Sequence, residues 1–287
     1  MRMRALRGLA VLLFVLAVPL GAQEQGPRVN WVPGPAKVDL GKVAQLDLAE
    51  GYVFLDAKDA RTLLEAAGNT PDGSEVGLVS AAAEDQNWFV IFDYSEVGYV
   101  SDSEKDKIDA DALLKGIKEG TEECNAVRKE KGIPGLHVVG WQQRPSYDSA
   151  THNLTWAILA KDDTGDRVVN FNVRILGRRG YMSATLVDDP SKIAAARPHL
   201  DRILADFAYK SGNRYAEFRP GDKVAEYGLV ALMAGGAGAA AAKTGLFAAL
   251  GKMLAKGGKA VVLLVVGAAA ALRKLVKSVF GNDTRAA

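Results

Sequence analysis

Three consecutive segments with the character of β-strands constrain the fold of this chain more than any other feature. They lie at residues 153–161, 168–176 and 181–187, are rich in branched and aromatic side chains, and are joined by short turns. This arrangement is typical of antiparallel hairpins. Further strands are predicted at 36–40, 44–48, 52–55, 76–80, 88–94 and 136–142, and helices at 57–67, 110–131 and 190–206. Antiparallel hairpins with two or three helices predict an α+β domain built on one main sheet.

The alternation of apolar residues in the three strands predicts their register. A shift by one residue would turn every apolar side chain to the other face of the sheet, so only one pairing keeps them together. Pairing Trp156 with Phe171 gathers the apolar residues of the first two strands on one face, and the turn at 177–180 then pairs Phe171 with Leu186. We expect this face to be the core.

The opposite face of the same strands collects amides and hydroxyls around one guanidinium. Antiparallel sheets commonly leave one face in contact with water, so a solvated face is one interpretation. Asparagine has a poor strand propensity and suits oriented hydrogen bonding, so a recognition surface is the other. The candidate ligand-binding residues are Asn170, Asn172, Arg174, Ser183 and Thr185.

The N-terminus has the pattern of a secretory signal peptide. Three arginines precede an apolar run at 8–20, which is short for a membrane span but typical of a signal sequence. Small residues at the end of this run predict cleavage after Ala22, and an uncleaved anchor helix is the alternative. We therefore assign residues 1–22 to the signal peptide and 23–221 to an exported soluble domain.

The composition changes after residue 221 to that of a membrane element. Two apolar segments follow, at 227–250 and 260–272, and lysines lie within and between them. Neither is an ideal span, because the first contains Lys243 and the second has only 13 residues. Two arrangements are consistent with this pattern. One is a transmembrane helix together with an interfacial helix, and the other is a helical hairpin. Residues 222–287 are predicted to anchor the chain in a bacterial cytoplasmic membrane, with the soluble domain facing the periplasm.

The charge is divided between these parts. Residues 23–221 carry 24 basic and 31 acidic side chains, a net charge of −7, whereas residues 222–287 carry a net charge of +6. An acidic domain repels the phosphate backbone, so nucleic acid is not expected as a partner. The basic tail suits an anionic lipid bilayer.

No motif for catalysis, metal binding or a cofactor is found in the sequence. The histidines at 137, 152 and 199 are far apart and outside the usual zinc-binding spacings, and the single Cys124 lacks a catalytic signature. We therefore expect no catalytic residue, metal or cofactor, and favour a non-enzymatic envelope module that binds an envelope protein or a small polar ligand. A hydrolase or transferase whose active site is assembled only by folding is the alternative.

Several phrases of the chain resemble a known family. They include WVPGPAKVDLG, LDLAEGYVFLDAKDARTLLEAAGN, HVVGWQQRPSYDSATHNLTWA, VVNFNVRILGRRGYM and YAEFRPGDKVAEYGL. Together they resemble the predicted membrane-anchored bacterial proteins of domain-of-unknown-function family 2167, from about residue 31 to 245. The resemblance implies an exported, membrane-attached bacterial protein and implies no activity. The order of strands and helices also resembles PsbP-type accessory folds, an analogy of fold alone.

Overall fold

The chain forms an α+β fold in which a large antiparallel sheet is packed by helices, as the sequence predicts. The computed structural model describes residues 27–67, 69, 71–83, 86–130, 132 and 134–233. The predicted signal peptide and most of the predicted C-terminal anchor lie outside the described residues. Among the helices that the structure does describe, none is both long enough and apolar enough to cross a membrane.

Eleven strands form two sheets in the described part of the chain. The strands are β1 (Val32–Pro33), β2 (Ala36–Leu40), β3 (Ala44–Leu48), β4 (Tyr52–Asp56), β5 (Glu75–Ala81), β6 (Phe89–Ser95), β7 (Leu136–Asp148), β8 (Asn153–Asp162), β9 (Arg167–Leu176), β10 (Tyr181–Asp188) and β11 (Phe207–Tyr209). The main sheet has the order β1-β4-β5-β6-β10-β9-β8-β7, and the second has the order β11-β3-β2. The sequence predicted most of these strands but not the division into two sheets.

The helices are α1 (Ala57–Ala66), α2 (Ala110–Glu130), α3 (Ile193–Ala205) and the short α4 (Leu229–Met233), and aspartates cap the first two of them. The Asp56 carboxylate accepts hydrogen bonds from the amides of Lys58 and Asp59, and Asp109 caps α2 in the same way. Each cap satisfies backbone donors that have no partner within the helix, which explains why the helices begin at these positions.

The main sheet separates two hydrophobic cores. On one face, which we call the helix-side face, apolar residues of α1 and α2 pack against the sheet, for example Leu63 and Ile117 with Ile91. On the other face, α3 and the second sheet cover Phe171 and its neighbours. Because both faces of the sheet are buried, the main sheet has no broad solvated face in this region.

The predicted register is correct between β9 and β10 and wrong between β8 and β9. Phe171 pairs with Leu186 as predicted. However, Trp156 pairs with Asn172, and Ala157 pairs with Phe171, which is a shift of one residue. The apolar residues of β8 therefore belong to the helix-side core. The prediction failed because it assumed a single core, whereas alternation cannot choose between two buried faces.

Residues 222–233, which we call the strap, pack on the domain ahead of the undescribed C-terminal region. The Asp222 carboxylate accepts two hydrogen bonds from the Arg178 guanidinium, at 2.7 and 2.8 Å, and this contact lowers the pKa of Asp222 to about 2. The backbone of Tyr99 hydrogen-bonds Lys223 and Ala225. The buried residues of α4 are Leu229, Leu232 and Met233.

Candidate functional site

Four polar residues stand opposite one another across four strands of the main sheet. Glu75 on β5 pairs with Asp93 on β6, Asp93 pairs with Ser183 on β10, and Ser183 pairs with Arg174 on β9. Directly paired residues of antiparallel strands point to the same face. These four residues, which we call the polar row, therefore lie together on the helix-side face.

Arg174 is held in the polar row by aromatic rings. Its guanidinium carbon lies 4.9 Å from the centre of the Trp156 ring and 5.8 Å from that of Tyr181. The Nε and Nη1 atoms are buried and have no hydrogen-bond partner, although the residue as a whole keeps partial exposure to solvent. These two nitrogens carry three N–H donors. Burial lowers the pKa of Arg174, and nearby Tyr181 and Asp93 oppose this shift.

Asp93 is the second member of the polar row with an unsatisfied atom. The residue is 9% exposed, and its buried Oδ1 atom has no hydrogen-bond partner. Burial raises the pKa of Asp93 to about 7, and the charge of Arg174 opposes this rise. Near neutral pH the carboxyl group therefore exists in both forms, one of which donates a hydrogen bond while the other only accepts.

Glu75, at the end of the polar row, is satisfied by the backbone. Its two carboxylate oxygens each accept a hydrogen bond at 3.0 Å, from the amides of Asp72 and Gly73. The residue is 1% exposed. Both carboxylate oxygens thus bind the backbone of the loop before β5. The buried polar atoms of the row that have no hydrogen-bond partner belong to Asp93 and Arg174.

The structure brings the five predicted site residues together and buries four of them, while Arg174 stays partly exposed. Thr185 pairs with Asn172 in the row next to Ser183 and Arg174. The Asn172 side chain donates a hydrogen bond to the backbone oxygen of Asn170 at 3.0 Å. Asn170, Asn172, Ser183 and Thr185 are between 1% and 7% exposed. The expectation of a solvated or openly accessible face is therefore wrong, because helices cover this side of the sheet.

Four residues of this site were missed by the sequence analysis: Glu75, Asp93, Trp156 and Tyr181. A signal for Asp93 was present, since it lies in the apolar phrase FVIFDYS with the same parity as Phe89 and Ile91. An acid at an inward position of a buried strand is uncommon and needs a partner. The position of Trp156 beside Arg174 could not be found while the register of β8 was wrong by one residue.

A second cluster surrounds His152 in the turn between β7 and β8. His152 has a positive φ of 56°, which is uncommon for residues other than glycine. The Tyr147 hydroxyl donates to the Asp102 carboxylate at 2.9 Å and contacts Nδ1 of His152 at 3.1 Å. The ring of Tyr215 lies 4.2 Å from the imidazole. These contacts orient the imidazole, as general bases are oriented, but no nucleophile is recorded beside it among the described residues.

The other two histidines lie elsewhere, each with its own partners. Nδ1 of His199 on α3 contacts the Tyr52 hydroxyl at 3.0 Å, and its ring stacks on Trp88. Both ring nitrogens of His137 contact carboxylates, of Glu122 at 2.8 Å and of Asp163 at 2.9 Å. Folding thus does not bring the three histidines together. In the part of the chain that the structure describes, no group of three or more metal-ligating residues is placed to hold an ion.

Comparisons with known proteins identify a family and no characterised close relative. A family model described as "Protein of unknown function (DUF2167)" matches residues 32–269. No curated protein matches the chain. Among solved structures, cyanobacterial PsbP (CyanoP) from Synechocystis sp. PCC 6803 is 10% identical, with a TM-score of 0.36 over 67% of this chain and 99% of that one. The Saccharomyces cerevisiae Ran-binding protein Mog1p is 12% identical, with a TM-score of 0.33 over 67% of this chain and 100% of that one. Scores this low support no inference about function.

Proposed function

The chain belongs to the DUF2167 family of proteins of unknown function, and we propose that it is an accessory module that binds a small polar ligand at the polar row. The proposal places the ligand between Arg174 and Asp93, on the helix-side face of the main sheet. It assigns the chain no catalytic step. The domain works at a membrane, to which the C-terminal region attaches it.

The unsatisfied guanidinium of Arg174 carries this proposal. A buried polar group without a hydrogen bond costs roughly 1–3 kcal/mol, and a charged group costs more. Most buried polar atoms in native proteins are therefore paired, and an exception calls for an explanation. Nε and Nη1 of Arg174 and Oδ1 of Asp93 are three such atoms in one row. A ligand that bridges Arg174 and Asp93 would satisfy all three.

A binding role agrees better with this site than a catalytic role. The groups nearest Arg174 are the rings of Trp156 and Tyr181, which hold the guanidinium by cation–π contact. Asp93 has a carboxyl pKa of about 7, which is suited to proton transfer at neutral pH. Acid–base catalysis usually combines such a group with a positioned nucleophile or a second titrating partner. Ser183 and Glu75 flank Asp93 in the polar row, but no hydrogen bond joins either side chain to the Asp93 carboxyl group among the described residues.

The proposed location follows from the two ends of the sequence. The N-terminal arginines and the apolar run at 8–20 support export, and the apolar, lysine-containing region after residue 222 supports attachment to anionic lipid. In a bacterial host, the full chain should sediment with membranes, and its domain should be digested by protease added to spheroplasts. Deletion of residues 2–22 should leave the domain protected inside the cell. Equal digestion of both forms would contradict the proposed export.

The binding role is tested with small polar probes. The full chain in mild detergent is titrated with acetate, acetamide, glycerol and inorganic phosphate, and tryptophan fluorescence and the melting temperature are followed. At least one probe should bind saturably, and the Arg174→Met variant should lose this binding. Arg179→Met is the matched control, because Arg179 is an exposed arginine on the same hairpin. If no probe gives a saturable change, the proposed function is wrong.

A further inference from the structure

We propose that the ligand of the polar row carries an oxyanion, a carboxylate or phosphate group, which Arg174 binds directly and which Asp93 helps to select. This inference rests on the proposed function and adds the chemical class of the ligand. It follows from the charge of the site and from the geometry of its two unsatisfied groups.

The guanidinium of Arg174, which lacks a hydrogen-bonded counter-charge, favours an anion. Arg174 brings one positive charge into a largely dry layer, and no carboxylate hydrogen-bonds to its Nε or Nη1 atoms. Glu75 lies at the opposite end of the polar row, and its oxygens accept hydrogen bonds from the backbone amides of Asp72 and Gly73 rather than from Arg174. Asp93 is close enough for its charge to act on Arg174 but makes no hydrogen bond with these nitrogens. The guanidinium therefore lacks the hydrogen-bonded counter-charge that buried cations usually have.

The rings of Trp156 and Tyr181 hold the Arg174 guanidinium in a position suited to binding an anion. A guanidinium over an aromatic face is attracted by the ring, while its N–H groups point outward in the guanidinium plane. The Trp156 and Tyr181 rings thus restrict the side chain without using its donors. Planar donors held in place match the oxygens of carboxylates and phosphates better than a mobile lysine would. Arg174 as a whole is partly exposed to solvent, although its Nε and Nη1 atoms are buried.

Asp93 makes binding of an anion depend on pH. Its ionised form repels an anion, whereas its protonated form removes one negative charge and supplies an O–H donor. The charged groups that act on Asp93 are Arg174 on β9, Glu75 on β5 and Asp72 in the preceding loop. An anion bound at Arg174 therefore favours protonated Asp93, and by linkage its affinity should fall as the pH rises through 7. A neutral ligand has no such reason to bind less tightly at high pH.

The decisive experiment compares acetate with acetamide, which have similar shape and differ in charge. In the full chain, acetate should bind at least about tenfold more tightly than acetamide, which corresponds to about 1.4 kcal/mol. The Arg174→Met variant should lose acetate binding, and Arg179→Met should keep it. Inorganic phosphate is titrated in parallel, and the tighter of the two anions identifies the group as carboxylate or phosphate.

Measuring the affinity for acetate at several pH values is a second, independent test. Acetate stays ionised between pH 6 and 8, so a change in its affinity reports on the protein. Affinity should fall across this interval in the parent chain and stay constant in Asp93→Asn. Equal binding of acetate and acetamide would overturn the oxyanion while leaving the proposed function standing. Binding of no probe at all would overturn both, and retained acetate binding in Arg174→Met would place the anion elsewhere.

Discussion

The guanidinium of Arg174 lies over the ring of Trp156, although the two residues are not paired across the sheet. Arg174 pairs with Leu154, and Trp156 pairs with Asn172, so Arg174 and Trp156 are diagonal neighbours on one face. Diagonal neighbours on adjacent strands are within reach of long and aromatic side chains. The contact therefore depends on the register of β8 against β9, and this register sets the position of the charged group in the helix-side core.

Replacement of Arg174 by an apolar residue of similar length should cost little stability. Arg174→Met removes a buried charge and three donors that have no acceptor, and substitutions that replace buried charges by apolar groups are often neutral or stabilising. We expect the free energy of unfolding to change by no more than about 1 kcal/mol, measured by urea denaturation. Asp93 should simultaneously show a higher pKa, because the opposing charge is lost.

Phe171→Ala is the control for this substitution. Phe171 lies on the other face of β9 and is 4% exposed, so its removal leaves a cavity and should cost about 3–5 kcal/mol. The two variants thus compare the loss in stability on removing a charge without a hydrogen-bond partner with the loss on removing a packed side chain of the same strand. A loss of more than about 2 kcal/mol in Arg174→Met would mean that the guanidinium has a stabilising partner, contrary to our description.

The contribution of Asp93 to the stability of the domain should fall as the pH rises from about 4 to 7. The pKa of Asp93 is raised in the folded chain to about 7, so the folded state binds a proton that the unfolded state releases in this interval. This contribution is therefore greatest below the unfolded pKa and is lost as the pH approaches 7, with a limiting slope of about 1.4 kcal/mol per pH unit. Urea denaturation at several pH values measures this slope.

Asp93→Asn isolates the contribution of this group. The amide resembles the protonated carboxyl group in shape but does not titrate. The difference in the free energy of unfolding between the parent chain and the variant should therefore shrink toward low pH and grow toward pH 7. Other carboxyl groups titrate equally in both chains and cancel in the comparison. Parallel stability curves for the two chains would show that Asp93 has an ordinary pKa.

Removal of the strap should destabilise the domain. A chain that ends after Met233 keeps the Arg178–Asp222 ion pair and the three buried residues of α4, whereas a chain that ends after Pro220 loses them. Burial of each such apolar side chain contributes about 1.5–3 kcal/mol. We expect the shorter chain to be less stable by at least about 3 kcal/mol in urea denaturation. Equal stability of the two chains would show that the strap adds nothing to the fold.

The sequence predicted the elements of the fold better than their arrangement. The starts of α1 and α2 were found because a helix cap, here Asp56 or Asp109, acts within a few residues of itself. The pairing of β9 with β10 was found because a four-residue turn fixes it. The pairing of β8 with β9 was missed because both faces of the sheet are buried, and alternation then does not distinguish one core from the other.

The prediction of the candidate site was limited in the same way, because it depends on contacts between distant parts of the chain. Arg174, Asn172 and Ser183 were recognised as unusual in apolar strands, and the structure places them side by side. They lie on the helix-side face, whose core is assembled from distant parts of the chain, including α1, α2 and α4, so their burial could not be read from local pattern. Asp93 joins them only through the pairing of β6 with β10, which has no local signal in the sequence.

The most direct test of the site is the NMR signal of the Arg174 Nε–H group, assigned by its loss in Arg174→Met. In the free protein this proton should exchange slowly with water, because it is buried, and should be shifted by the Trp156 ring. Addition of acetate should move the signal saturably, as expected for a donor that gains an acceptor, whereas acetamide should move it far less. Rapid exchange in the free protein, together with no response to acetate, acetamide or inorganic phosphate, would contradict a buried binding site at Arg174.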